Sequence, residues 1–281
     1  MKSLFIKFSI LSFLLFLSVK PTPPEVQEFQ GQAVYFSKSS MELGSWGARM
    51  SEAQKKDVQA RLKNRLEKTY VLSFNKEESV FNEEDKLDAM SGATDSWGQN
   101  FTQGEQYKNI KENALVQSQE FYGKQFLVKD QLQIIDWKMD TESKQIGQYM
   151  CFKATASIPT AELSWYNFSW GDLRPAVNKE TDTISGQAKE PEIKMTEVEA
   201  WYTPQIPVGH GPNEFWGLPG LILEVSAGNT TLLCSKIVMN PKEKIKIEAP
   251  DKGKVITKTA YKETITEKMQ EMRNNRGRRR G

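Results

Sequence analysis

A single histidine, His210, set between Gly209 and Gly211, narrows the hydrolytic chemistry open to this chain. One imidazole cannot build a His-cluster zinc centre. Any Ser-His-Asp arrangement would have to pass through it, and no Gly-x-Ser-x-Gly elbow occurs in the sequence. Between two glycines, His210 is expected to be an exposed loop residue. Asp and Glu together number 36, so counting leaves a glycosidase-type carboxylate pair open, but no pair stands out from the solvated background. Glu224 alternates with Leu223 and Val225 and is expected to face solvent, as is Asp136 beside Trp137. Met139, Met150, Met239, Met269 and Met272 are scattered and not clustered with histidine, which argues against copper. No catalytic residue, metal site or cofactor is expected, and the chain reads as a non-enzyme.

Two cysteines remain, Cys151 and Cys234. In an exported protein they can pair, or stand as two separate buried thiols. If their strands are neighbours, a bridge closing a loop of roughly 80 residues would stabilise the fold by roughly 4 kcal/mol.

The densest local pattern is Ala200-Trp201-Tyr202-Thr203-Pro204-Gln205-Ile206-Pro207, then Gly211-Pro212, then Gly217-Leu218-Pro219-Gly220-Leu221-Ile222. Pro219 fixes φ and offers no N–H. Gly217 and Gly220 permit positive φ or the close approach of another backbone. Two readings follow. The segment is a tight turn feeding a central strand, packed close to Trp201. Alternatively, loop 204–219 rims a pocket or docks a partner, and then Trp201, Pro207, Gly211, Pro212, Gly217, Pro219 and Gly220 are the candidate binding residues. It is not a phosphate loop, because no Gly-Lys-Ser/Thr follows.

These residues must be positioned by the elements around them. Strands are expected at 31–38 and 69–74. A helix over 50–68 is expected, with Ser51 and Gln54 as a capping box and Val58, Leu62 and Leu66 as its stripe. Residues 75–104 read as loop. Short strand-like runs follow at 115–122, 125–128, 132–139, 144–156, 194–203, 221–227 and 230–238, separated by turn residues. Residues 159–191 read as an insertion whose aromatics Trp165, Tyr166, Phe168 and Trp170 pack back onto the sheet. Residues 242–254 read as an extended charged segment. A last helix over 260–273 is expected, capped by Thr259, with Tyr261, Ile265, Met269 and Met272 on one face. The expected fold is mainly β (α+β): a strongly curved antiparallel sheet, bowl-like or half-barrel, with one helix in the N-terminal half and one at the C-terminus.

At the amino end, Met1-Lys2 and Lys7 precede a charge-free run of apolar residues and serines over 8–19, followed by Pro21, Pro23 and Pro24. This is the pattern of a secretory signal over 1–20, too short to span a bilayer. No cysteine follows the run, so a lipidated N-terminus is excluded. One domain is expected over 25–273, then a basic disordered tail over 274–281. A net charge of +2 calls for no nucleic acid. After removal of the signal no transmembrane span is expected.

The motif Gly217–Ile222 with its lead-in resembles the GLPGLI family of exported Bacteroidetes proteins, first noted as a Porphyromonas paralogue set. Ile146-Gly147-Gln148-Tyr149-Met150-Cys151-Phe152-Lys153-Ala154 and Gly123-Lys124-Gln125-Phe126-Leu127-Val128 are similar to it as well, as is Trp137-Lys138. The likeness covers roughly residues 105–272. It implies a periplasmic or cell-surface location in a Gram-negative host and no established activity. A weaker likeness, to the bowl-like N-terminal module of secreted peptide-N-glycosidases, implies a binding role. In such a host the sequons at Asn100, Asn167 and Asn229 would be idle, and Thr183 in Asp182-Thr183-Ile184 is an O-glycosylation candidate. The expectation is an exported, non-enzymatic binding or accessory protein, with an apolar small ligand or an outer-membrane or envelope protein as its partner. The alternatives are a carboxylate-dependent hydrolase of glycans or peptides and a structural surface subunit.

Overall fold

The computed structural model describes residues 29–40, 49–84, 101–163, 165–166 and 193–278. The signal segment, the sequons at Asn100 and Asn167, Thr183, Phe168 and Trp170 lie outside them. One twelve-stranded sheet carries the molecule. Strand β1 (Gln30–Ser39) pairs with β2 (Glu67–Asn75) on one side and with β11 (Thr230–Met239) on the other, both antiparallel. Outward from β2 runs a meander of β3 (Glu78–Glu83), β4 (Phe101–Asn109), β5 (Ala114–Phe121) and β6 (Lys124–Gln131). Outward from β11 run β10 (Leu221–Ala227), β9 (Met195–Thr203), β8 (Tyr149–Pro159) and β7 (Lys138–Ile146). The short β12 (Lys254–Ile256) adds to β6 in parallel, so the sheet is mixed and not purely antiparallel.

The curvature has local causes. Register shifts fall at Val34/Tyr35, Gln103/Gln106, Met139/Ser143 and Ile222/Glu224, and each bulge bends and twists its strand. Among the described residues three helices accompany the sheet: α1 (Glu52–Leu66), α2 (Thr160–Leu163) and α3 (Lys258–Arg278). Helix α1 opens on the expected capping box, Ser51 with Gln54. Helix α3 starts earlier than expected, because Thr257 Oγ1, not that of Thr259, accepts from Ala260 N at 3.2 Å. It also continues through residues 274–278 that composition had assigned to a disordered tail.

Other differences follow from the chain path. Residues 132–137 are not strand, because they carry the chain from β6 to β7, on opposite wings of the sheet. The run 144–156 is the end of β7 and most of β8, divided at Gly147, whose φ of +60° turns the chain. The expected loop 75–104 contains β3 and the start of β4, and its first turn is held by Asn75 Oδ1, which accepts from Glu77 N and Glu78 N.

Two apolar clusters pack against the sheet. The larger joins β1, β2 and β8–β11 to loop 204–219 through Ile206, Val208, Phe215 and Leu218. The smaller joins Trp165 and α3 to β5 and β6. Trp165 thus packs back onto the sheet as expected.

Cys151 and Cys234 are free, buried thiols in the larger cluster. Their strands are not neighbours, since β9 and β10 lie between β8 and β11, so the adjacency on which a bridge depended is not met. Burial pushes the Cys151 thiol up to about 11 and that of Cys234 up to about 12. Both should therefore resist a thiol-specific disulfide reagent at pH 8 in the native protein and react at two equivalents in guanidinium. One equivalent or none after denaturation would contradict free thiols.

Candidate functional site

Loop 204–219 closes on itself before it closes on the sheet. Gly217 N donates to Gly209 O at 2.9 Å, Leu221 N to Ile206 O at 3.0 Å and Ile222 N to His210 O at 3.1 Å. Gly217 sits at φ +94°, and a Cβ on Gly220 would lie 2.2 Å from Thr203 O. These two glycines are therefore turn and close-approach residues, as the first reading of the motif held. The candidates divide into two groups. Pro207, Gly217 and Pro219 are exposed along an outer rim with Pro204 and Gln205, whereas Gly211, Pro212 and Gly220 are buried beneath it.

Trp201 belongs to neither group. It is buried with Lys144 Nζ 4.1 Å and Lys153 Nζ 5.8 Å from its ring, and its Nε1 donates to Glu199 at 2.9 Å. Lys144 also bonds Glu224 at 2.8 Å. Glu224 is thus half-buried in an ion pair and does not simply face solvent; Asp136 is exposed as expected.

Beneath the loop lies a set of polar side chains that composition did not single out. Lys108 on β4 is wholly buried, and its Nζ donates to the carbonyls of Gly211, Asn213 and Phe215 at 2.7, 2.6 and 3.2 Å. Burial draws it down to about 7, with Glu214 acting in the opposite direction. Glu214 is 3% exposed. Its Oε1 accepts from Gln106 Nε2 and Trp165 Nε1, both at 3.0 Å, and its Oε2 meets Lys258 Nζ of α3 at 3.5 Å. The carboxylate ties three elements together: the loop, β4 and α3.

His210 is the clearest correction. It is fully buried, and among the described residues neither ring nitrogen makes a well-formed hydrogen bond, although the backbone of Asn75 is close enough to favour the charged ring slightly. Burial first and Lys108 second lower its pKa to about 3. The sign of the consequence is fixed by linkage. Below pH 6.5 the unfolded chain takes up a proton that the native ring refuses, so stability falls as pH drops from 6.5 towards 3. At pH 5 this amounts to about 2 kcal/mol. Urea unfolding of the wild type and of His210→Phe between pH 7 and 4 should differ in slope by about 1.4 kcal/mol per pH unit; parallel curves would place the imidazole in solvent.

Further buried polar groups are unmet. Ser79 Oγ, Gln106 Oε1, Gln117 Nε2, Gln119 Nε2 and Tyr261 OH are buried without a partner among the described residues. Each such group costs on the order of 1–3 kcal/mol. Of these, Gln106 and Gln117 stand in register on β4 and β5, and Gln106 Nε2 donates to Gln117 Oε1 at 3.1 Å. Sequence reasoning missed them because Gln-Tyr-Lys on β4 and Gln-Ser-Gln on β5 look like solvated strand; the one available signal was their placement at every second position.

Two open clefts are lined by described residues. One of about 540 Å³ runs between α2 and α3, lined by Glu162, Trp165, Lys258, Lys262, Glu263 and Glu267 among others. The other, of about 900 Å³, lies between the β2–β3 turn and residues 244–248 and carries Lys76, Glu77, Glu78, Lys246 and Glu248 with Phe29, Ile245 and Ile247. Both combine charged side chains with apolar surface. Among the described residues no three His, Cys, Asp or Glu side chains gather as a metal site, and no helix is long and apolar enough to cross a membrane.

A protein-family model described as a protein of unknown function (Porph_ging) matches residues 137–224, from Trp137 to Glu224 and including the Gly217–Ile222 motif. No curated protein matches. Among solved structures, PNGF-II in its C2 crystal form aligns with a TM-score of 0.47 and 14% identity over 84% of this chain and 32% of that one. Its P21 form aligns with a TM-score of 0.42 and 14% identity over 82% and 31%. The chain thus spans about a third of the length of those structures.

Proposed function

We propose that this chain is an exported, non-enzymatic accessory protein of the cell envelope that docks a partner protein through the outer rim of loop 204–219. One observation carries the reading: the loop is rigid from below and apolar above. Lys108 holds three of its carbonyls and Glu214 anchors it to β4 and α3. Pro204, Pro207 and Pro219 meanwhile stand exposed, with Met150 beside them, bonded through its N–H to Gln205 Oε1. Ile134, next to Gln133 whose carbonyl accepts from Trp216 Nε1, is 84% exposed. A preordered apolar rim loses little entropy on binding, and an exposed apolar patch on a fixed loop is characteristic of protein contact. The carboxylate-hydrolase reading has less support, because both oxygens of Glu214 are already engaged. The basic, then apolar, then proline-rich leader supports export.

The test is site-specific photo-cross-linking in the native host, with the cross-linker placed at Pro207, at Pro219 and, as control, at Lys246. The expected result is one and the same adduct from both rim positions and none from the control, in the periplasmic or surface fraction. Rim adducts that differ from each other, or that match the control, would overturn docking at this loop.

A further inference from the structure

Tyr202 stands on β9, in register with Phe152 of β8 and Ile222 of β10, and its ring is buried in the larger apolar cluster. A buried phenol needs a partner for its hydroxyl. Among the described residues the partner is a thioether: Tyr202 OH donates to Met139 Sδ at 3.8 Å. Sulfur is a weak acceptor. Met139 belongs to β7, the edge strand of the sheet, and reaches Tyr202 across β8. Its register partner there is Ala154, which shares its face of the sheet and whose small side chain leaves the way to β9 open. The β7–β8 register shifts between Met139 and Ser143. The sulfur contact is therefore a second hold on β7 where its ladder is interrupted. Met139 is nevertheless 62% exposed, more than Met150 at 46% or Met195 at 45%, whereas Met269 is buried. Met139 thus combines an open sulfur with a hydroxyl aimed at it.

We propose that Met139 is a site of reversible oxidation by peroxides, at which the sulfoxide strengthens the hold of β9 on the edge strand. The sulfur lone pair attacks one peroxide oxygen, and the S–O bond forms as the O–O bond breaks. The departing hydroxide takes the proton of the transferred oxygen and leaves as water. Sulfur is oxidised by two electrons and the peroxide is reduced. Two thiols of a sulfoxide reductase reverse the step, giving the thioether, a disulfide and water. Exposure admits both reagents to the sulfur. The 3.8 Å separation is long for a hydroxyl bonded to oxygen, where about 2.5–3.0 Å is usual. An oxygen added to the sulfur on the Tyr202 side closes that gap and exchanges a weak acceptor for a strong one. In a core, sulfoxide disrupts packing. Here the new dipole meets a phenol O–H on one side and solvent on the other. The site lies outside loop 204–219 and does not rest on docking at its rim.

The test is oxidation of the full chain by hydrogen peroxide in a Met150→Leu, Met195→Leu background, with peptide mass mapping of every methionine. Leucine conserves the volume at the two other open sites. Met139 should convert at least about 10-fold faster than Met269. Once Met139 is fully converted, the amides of β7 should exchange about 3-fold or more slower than before oxidation. The change in Tm on oxidation should be more favourable, by about 2 °C or more, than in the same background carrying Tyr202→Phe. That variant keeps the ring and removes only the donor, so it separates the hydrogen bond from a general effect of sulfoxide. The two epimer-specific methionine sulfoxide reductases with dithiothreitol should restore the mass and the exchange rates. Met139 converting no faster than Met269, β7 exchange that is unchanged or faster, equal Tm changes with and without Tyr202→Phe, or a mass that the reductases do not restore would each overturn it.

Discussion

Lys108→Met is expected to destabilise the protein by about 3–5 kcal/mol. An ammonium has three N–H donors, and in Lys108 each is directed to a different carbonyl of one loop, those of Gly211, Asn213 and Phe215. Methionine fills the volume and supplies no donor, so three buried acceptors lose their partner and Glu214 loses a nearby positive charge. Urea unfolding monitored by circular dichroism at pH 6 gives the figure directly. The pH dependence is a second readout. The folded-state value of about 7 lies below the ordinary 10.5, so between those limits the unfolded chain binds more protons than the native one. Wild-type stability therefore gains from this group as pH rises through that window, and the variant shows no such gain. An unchanged midpoint in Lys108→Met would mean that the loop carbonyls have other donors and that the rim is not preordered from below.

Gly220→Ala is expected to cost about 3 kcal/mol or more. The added Cβ would lie 2.2 Å from Thr203 O, 2.5 Å from its carbonyl carbon and 2.8 Å from Pro204 N. All three are backbone atoms at the end of β9 and the start of the loop, so no side-chain rotation relieves the contact. Relief requires β10 to move away from β9, which disturbs the Leu221–Ile206 bond that closes the loop. Gly217→Ala is the internal comparison. Its nearest neighbour would be Trp137 Nε1 at 3.9 Å, so its cost is that of a positive φ alone, about 1–2 kcal/mol. Thermal unfolding of the two variants side by side should rank Gly220→Ala as clearly the worse. Equal losses would remove the close approach as the reason for the second glycine.

How far the sequence alone reached depends on where each residue's partners lie. Helix α1 and its capping box were legible because Ser51 and Gln54 are three residues apart and bond each other. The hairpin of β10 and β11 was legible for the same reason, with Ala-Gly-Asn between two apolar runs. The motif glycines announced a turn and a close approach, since no other residue type meets those conditions.

The tertiary structure decided everything that rests on distant partners. Only the start of β4 fell in the expected loop 75–104, and its inward Gln106 and Lys108 were not singled out, because their partners in loop 204–219 lie more than a hundred residues away. For the same reason His210 and Glu224 looked solvated, Trp201 looked like part of the loop rim, and the two thiols were left undecided until the strand order put β9 and β10 between them. Local spacing determines turns, caps and strand period. Which wing of the sheet a polar side chain meets, and whether it is buried there, is set by the pairing of β1 with both β2 and β11, a non-local choice that no window of sequence contains.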